Sequence, residues 1–364
     1  MHIFSLLLVA AQAVVLIDAA PDPPGSIKWT LHRSCYRNQD NTADDNEMAD
    51  AMVSTMATVM AWASRGAEML DSSLNPLSIK GRTTKRAMES LIDIGDYKTQ
   101  AEDIRNRFRQ IATLEGPIGK GDSGTARYDG STAWTDLGGN NQHYWDFLLV
   151  CRPDLGTTQT IDGLQTVPFD NIRQYRLFPN APLQQIANEG NGADGQWMAL
   201  TGGRIQAVTQ RDLTNPPQGD RGRIPQTINF HPLWLKYLRE KKFEGWSAGK
   251  FTQVTATNAL EAFRVQSDLK NQGKGPGEPK VDIRPIDSLL DASLVRNLFH
   301  ELFHLDAFGG MLDQNTGAYG WVNNINDKNH QNPDFFAIVA AIIELLFRDG
   351  DQYKVTAEGE VKKK

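Results

Sequence analysis

The chain has 364 residues, a net charge of -6, 40% hydrophobic residues and 23% charged residues, the balance of an ordinary globular protein. That excludes a collagen-like chain, a wholly disordered one and a multi-span membrane protein. The mild acidity argues against nucleic acid as a partner, because its binders carry a basic face. Two cysteines cannot build a disulfide-rich mini-scaffold or a zinc ribbon, whereas seven histidines suffice for one metal site.

Residues 1–20, MHIFSLLLVAAQAVVLIDAA, set an apolar run ahead of small residues and Pro21. This predicts a secretory signal peptide cleaved near Ala19 or Ala20. The run falls short of the ~20 apolar residues a membrane span needs, so the expectation is a secreted, extracellular protein without a membrane anchor. In an oxidising compartment Cys35 and Cys151 are expected to pair; two buried thiols are the alternative. The sequence holds no Asn-x-Ser/Thr acceptor, so N-glycosylation is not expected.

Residues 39–45, QDNTADD, form a polar entry to a helix. Over 47–70, Met48, Ala51, Met52, Thr55, Met56, Val59 and Ala63 fall at helical spacing and read as a core-facing stripe. One or two further helices are expected within 84–114, their arginines forming a solvated face. Residues 117–142 are Gly-rich and polar, a loop. The runs 144–152 and 226–235 begin as strands, and 202–210 is a candidate third. Residues 154–200 and 211–225 are rich in Gly, Asn, Pro and Gln, and long connections of that kind are often functional loops. Residues 273–279 read as a flexible surface loop. Residues 334–348, DFFAIVAAIIELLFR, are a core helix, and the charged tail 351–364 is expected to fray. The reading is one α+β domain over 21–350, mostly helical at both ends with a small sheet between.

The chemistry lies in residues 287–308, DSLLDASLVRNLFHELFHLDAF. Asp287 or Asp291 can cap the helix. Leu290, Leu294, Leu298, Leu302 and Leu305 form its apolar stripe, and Gly309-Gly310 would end it. It carries His300-Glu301-Leu302-Phe303-His304, an H-E-x-x-H. Residues i and i+4 share a helix face, so both imidazoles can reach one Zn2+ and leave room for a third ligand and a water. Zinc acidifies that water, and Glu301 beside it can take the proton and pass it to a leaving amine. The alternative is a pair of core histidines. The third ligand is open between Asp313, nine residues after His304, and Asp334. Asp306 is two residues past His304 and points to the opposite face, as surface or turn structure.

H-E-L-F-H, then Asp313-Gln314, Ala318-Tyr319-Gly320-Trp321 and Asn332-Pro333-Asp334-Phe335-Phe336-Ala337, resemble the deuterolysin or aspzincin metallopeptidases of fungi. The likeness is patchy over about 28–350 and strong over 297–341. Upstream, Thr227-Ile228-Asn229-Phe230 with Pro232 resembles the edge strand ahead of the active-site helix, and Cys35 resembles the first cysteine of the mature enzymes. The resemblance implies a zincin-like fold with its catalytic core at about 226–348. It implies His300, His304 and Asp313 as ligands of one zinc per chain, Glu301 as general base and Tyr319 as a donor to the tetrahedral oxyanion. The bland reading of Tyr319 is packing. Asp334, alternatively the ligand, also fits a helix N-cap, an outer partner of the site or, as in lysine-specific relatives, a pocket for a basic side chain. Those relatives have a Glu three positions on, where this chain has Ala337.

Three departures stand out. The family's Asp lies three residues before the Tyr, where this chain has Thr316, so the loop is longer here. About fifteen residues separate the expected cleavage site from Cys35, with no room for an inhibitory prodomain. Residues 154–225 have no recognised counterpart. The function implied is a secreted, monomeric zinc endopeptidase acting on protein or peptide substrates. A catalytically weakened binding protein or effector, or a zinc amidase, are the competing readings, and the retained Glu301 favours an enzyme.

Overall fold

The computed structural model describes residues 26–38, 42–118, 120–121, 145–159, 166–173, 175–177, 181–190, 205–211, 226–275, 278, 280–291, 293–313, 319–328 and 330–364. The expected signal peptide, most of the 117–142 loop, Thr316 and Ala318 lie outside the described residues. In chain order come β1 (Trp29–His32), α1 (Asn46–Ser73), α2 (Ile79–Met88), α3 (Tyr97–Ala112), β2 (Lys120–Gly121) and β3 (Phe147–Val150). Then follow β4 (Leu155–Gln159), β5 (Thr166–Asp170), β6 (Tyr175–Arg176), α4 (Pro182–Glu189), β7 (Ala207–Gln210) and β8 (Gln226–Phe230). The remainder is α5 (Pro232–Glu240), α6 (Ala248–Val254), α7 (Ala259–Asn271), α8 (Pro285–Leu290), α9 (Leu294–Leu302), α10 (Trp321–Asp327), α11 (Pro333–Phe347), β9 (Tyr353–Val355) and β10 (Val361–Lys363). The class is α+β, as expected.

The Met stripe behaves as its spacing predicts: Met48, Met52, Thr55, Met56, Val59 and Ala63 are buried on α1. Asp45 caps that helix by accepting from the Met48 N–H at 3.2 Å. Gly66 lets α3 approach closely, since a Cβ there would lie 2.4 Å from the Phe108 ring. α1 packs on α3, α9 and α11, and α11 runs through the core with all but Glu344 and Phe347 of its residues buried. The arginines of α3 are not simply a solvated face. Arg105 pairs with Asp71 on α1 at 2.9 Å, and Arg107 donates to the Phe308 carbonyl at 2.9 Å.

The main sheet has the order β2-β1-β3-β8-β7. β1, β2, β3 and β8 pair in parallel, and β7 runs antiparallel along the edge. Parallel strands covered on both faces carry continuous apolar runs, which is why FLLV in β3 is buried throughout. Phe147 and Leu149 face the main core. Leu148 and Val150 face a second cluster with Ile172, so residues of the 154–225 segment cover the far face. That segment, read as loop, contains β4, β5, β6 and α4. Cys35, just after β1, and Cys151, just after β3, form a disulfide.

Two expectations are corrected. The strand at 227–230 is not at the edge: β8 lies between β3 and β7, and β7 is the edge strand. The tail does not fray. β9 and β10 form an antiparallel hairpin because Tyr353 and Val361 are buried, Tyr353 stacks on Phe251 at 4.3 Å, and the Trp321 indole donates to the Ala357 carbonyl at 2.9 Å.

Candidate metal centre

α9 is capped by Ser293, whose hydroxyl accepts from the Arg296 N–H at 3.3 Å, rather than by Asp287 or Asp291. Asp287 instead caps α8 through the Arg284 N–H at 2.9 Å and accepts from the Trp321 N–H at 2.7 Å. Burial pushes its carboxyl up to about 6. The five leucines of the expected stripe are all buried. α9 ends at Leu302, earlier than expected, so His304 lies in the turn beyond it. The Gly-Gly stop belongs to the next turn, a 3-10 turn at Asp306–Phe308 that Gly309 closes at φ 118°. That backbone is poorly tolerated by side chains, and a Cβ at Gly309 would also meet the Arg107 guanidinium at 2.4 Å.

This early ending brings the chain back over α9. The Met311 N–H donates to the Phe303 carbonyl at 2.9 Å, and the Met311 carbonyl lies 2.8 Å from Nδ1 of His304. A carbonyl only accepts, so Nδ1 carries a proton, and in the neutral ring that leaves Nε2 with its lone pair. Two residues on, Asp313 Oδ1 lies 3.3 Å from Nε2 of His300 and 3.6 Å from Nε2 of His304. The two Nε2 atoms are 3.1 Å apart. Ligands ~2.1 Å from a tetrahedral Zn2+ stand ~3.4 Å from one another, and these separations bracket that value. The donor set of two imidazoles and a carboxylate fits zinc. Among the described residues, His300, His304 and Asp313 are the group that could hold a metal ion.

For His300 and Asp313 the electrostatics favour the deprotonated forms. Burial lowers the His300 pKa from its ordinary value, against the raising effect of Asp313. Burial alone would raise Asp313, but the hydrogen bond to His300 and the charges of both histidines hold it at about 2. Glu301 is 5% exposed. Its Oε2 accepts from the Thr209 hydroxyl of β7 at 2.7 Å. β7 is tied to the site at both ends, by Asn297 to Gln206 at 3.1 Å and by Arg211 to Asp306 at 2.7 Å. Asp306 is therefore part of the turn but is not a surface residue. The Tyr319 ring stacks on His300 at 5.5 Å, and its hydroxyl hydrogen-bonds Asp313. Burial first and Asp313 second push the phenol pKa up. The cluster opens to solvent on one side, where Leu312 is 63% and Tyr319 43% exposed.

Asp334 takes a different place from Asp313. Asn332 caps α11 through the Asp334 N–H at 3.2 Å, so the N-cap role is not Asp334's. Its carboxylate is fully buried, ion-paired with Arg296, and lies on the Nδ1 side of His300. Residue reading alone missed Thr209 and the Met311 carbonyl. It also missed Arg296, although the spacing marks it: Arg296 precedes His300 by four residues, as His300 precedes His304. Compared with protein-family profiles, curated proteins and solved structures, the chain matches none.

Proposed function

We propose that this protein is a secreted zinc endopeptidase of zincin-like fold, using His300, His304 and Asp313 as metal ligands and Glu301 as general base. The observation that carries the reading is the triangle of Nε2, Nε2 and Oδ1 atoms at 3.1, 3.3 and 3.6 Å, with a buried carboxylate on the adjacent residue. Zinc there would supply Lewis acidity, bringing water ionisation towards neutral pH and polarising a carbonyl.

The chain's own residues do the rest. Glu301 accepts the proton of the attacking water and delivers it to the departing amine. Thr209 donates to one carboxylate oxygen, which leaves the other to meet the proton. Tyr319 stays protonated because burial and Asp313 raise its pKa; its one hydroxyl proton is given to Asp313 here, and turned to the open rim it would be a donor suited to a developing oxyanion. Thr209 sits on an antiparallel edge strand beside Glu301, a position from which an extended peptide can pair. Asp334 is already neutralised by Arg296, so a basic side chain finds no free carboxylate there, and the reading carries no lysine requirement.

The disulfide is compatible with secretion, and among the described residues no helix is long and apolar enough to cross a membrane. The test is cleavage of a peptide library by purified protein with and without chelator. Activity that chelation abolishes, and that Glu301→Gln abolishes while retaining one zinc per chain, is the expected result. Undiminished hydrolysis by Glu301→Gln would overturn the mechanism, and a wild-type protein free of zinc would overturn the site.

A further inference from the structure

His300 and His304 are oriented differently. His304 has a carbonyl on Nδ1. Nδ1 of His300 is buried and has no hydrogen-bond partner among the described residues. The carboxylate facing it is Asp334, with Oδ1 at 4.0 Å. That carboxylate is 0% exposed and occupied on every side. Oδ1 pairs with the Arg296 guanidinium. Oδ2 accepts from the Gly320 N–H at 2.8 Å and from the Asn324 side-chain amide at 3.0 Å. Asp334 thus holds two pieces of the site, α9 through Arg296 and the Tyr319–Gly320 turn, and faces a third, the ring of His300, at 4.0 Å.

We propose that Asp334 is a positioning residue that fixes the tautomer and orientation of His300 and the Tyr319–Gly320 turn, and is not itself a metal ligand. This rests on the metal reading of the site. A neutral imidazole with its proton on Nδ1 aims a positive N–H at the buried Oδ1. The other tautomer would face that oxygen with a lone pair, which is costly where no water screens it. Asp334 therefore favours a bare Nε2, the atom that completes the ligand triangle. The two ring nitrogens point to opposite sides, so a carboxylate on the Nδ1 side cannot also bind an ion held on the Nε2 side. Outer partners of this kind commonly hold metal-bound histidines. Arg296 gives the carboxylate a paired opposite charge in a dry setting, and its backbone N–H is anchored by Ser293.

The experiment is zinc affinity, measured by competition with a chromophoric chelator. Asp334→Asn alone strands a buried guanidinium and risks misfolding. The decisive protein therefore combines Asp334→Asn with Arg296→Gln and leaves no charge behind. The control combines Arg65→Gln with Glu344→Gln. It removes the other ion pair of α11, at 2.8 Å, ten residues along that helix from Asp334. The expected result is zinc bound ~10–100-fold more weakly in the Asp334 protein, still saturating at one per chain, with the control at wild-type affinity. Wild-type affinity in the Asp334 protein overturns the proposal while leaving the metal reading intact. Loss of binding as complete as in Asp313→Ala makes Asp334 a ligand and also overturns it. Absence of zinc binding by the wild type brings down the metal reading and this inference with it.

Discussion

Thr209→Val isolates the contact between the edge strand and Glu301, the proposed general base. The threonine hydroxyl lies 2.7 Å from Glu301 Oε2 and 3.2 Å from the Glu301 carbonyl. Valine has nearly the same shape, so the perturbation removes a donor without opening a cavity. A hydrogen bond to a charged acceptor contributes roughly 1.5–3 kcal/mol. If that whole amount orients the carboxylate for proton transfer, kcat/KM falls roughly 10- to 150-fold. The loss belongs in kcat, because Thr209 holds the base and not the ground-state peptide. Thr209→Ser restores the hydroxyl and should recover most of the rate. Zinc content should stay at the wild-type level in both, since neither change touches a ligand. The assay is steady-state hydrolysis of the best library peptide, paired with metal analysis. A valine protein within about threefold of wild-type kcat/KM would refute the assignment of Thr209 as the support of Glu301.

Two further outcomes concern the scaffold. His32 is buried at the end of β1, where its Nδ1 accepts from the Ser34 N–H at 3.3 Å, and burial, aided by Arg33, lowers its pKa from 6.5 to about 4. The unfolded chain takes up a proton on this residue below pH ~6.5 and the folded chain does not. Stability is therefore fully present above that pH and declines by about 3 kcal/mol as pH falls towards 4; urea unfolding of His32→Asn should show a flatter acid limb, and an unchanged limb would exclude His32 as its source. Removing residues 351–364 exposes the surfaces covered by Tyr353 and Val361, a cost of roughly 3–5 kcal/mol from two buried side chains, and an unmoved urea midpoint would show that the hairpin is not part of the folded unit.

The residues with local signatures were legible and those with only distant partners were not. The Met stripe of α1 repeats at helical spacing, and α11 is a long apolar run with an Asn-Pro start, so both announce themselves. His300 and His304 are legible because i and i+4 adjacency is a property of the helix alone. β1 is a four-residue strand, WTLH, buried on both faces, and has no alternation to show. The hairpin at the end of the chain was hidden by its lysines: a two-stranded ribbon buries one side, so only Tyr353 and Val361 carry the signal. Thr209 is 92 residues from Glu301 in sequence, and nothing near it marks the contact. Asp313 was the expected ligand and Asp334 its alternative; residue spacing alone could not decide, because the choice depends on where the chain goes after Gly309, which is a tertiary event.

That turn also explains which protein contacts hold the cluster together. Had α9 continued through His304, the chain would have travelled away along the helix axis, and no later residue could cap Nδ1 of His304 from nearby. Ending at Leu302 lets residues 303–313 fold back, and the loop is then clamped from two sides. Arg107 of α3 holds the Phe308 carbonyl, and Arg211 at the end of β7 holds both the Gly310 carbonyl and Asp306. Neither arginine touches a proposed ligand, yet each fixes the path that places Met311 on His304 and Asp313 on both imidazoles. A ligand triangle held this way spends little binding energy on ordering the loop, which is the physical basis of a preorganised site. The edge strand that presents Thr209 to Glu301 thus also carries, two residues on, a clamp of the 303–313 loop, so the proposed general base and the loop of the proposed ligands share one support.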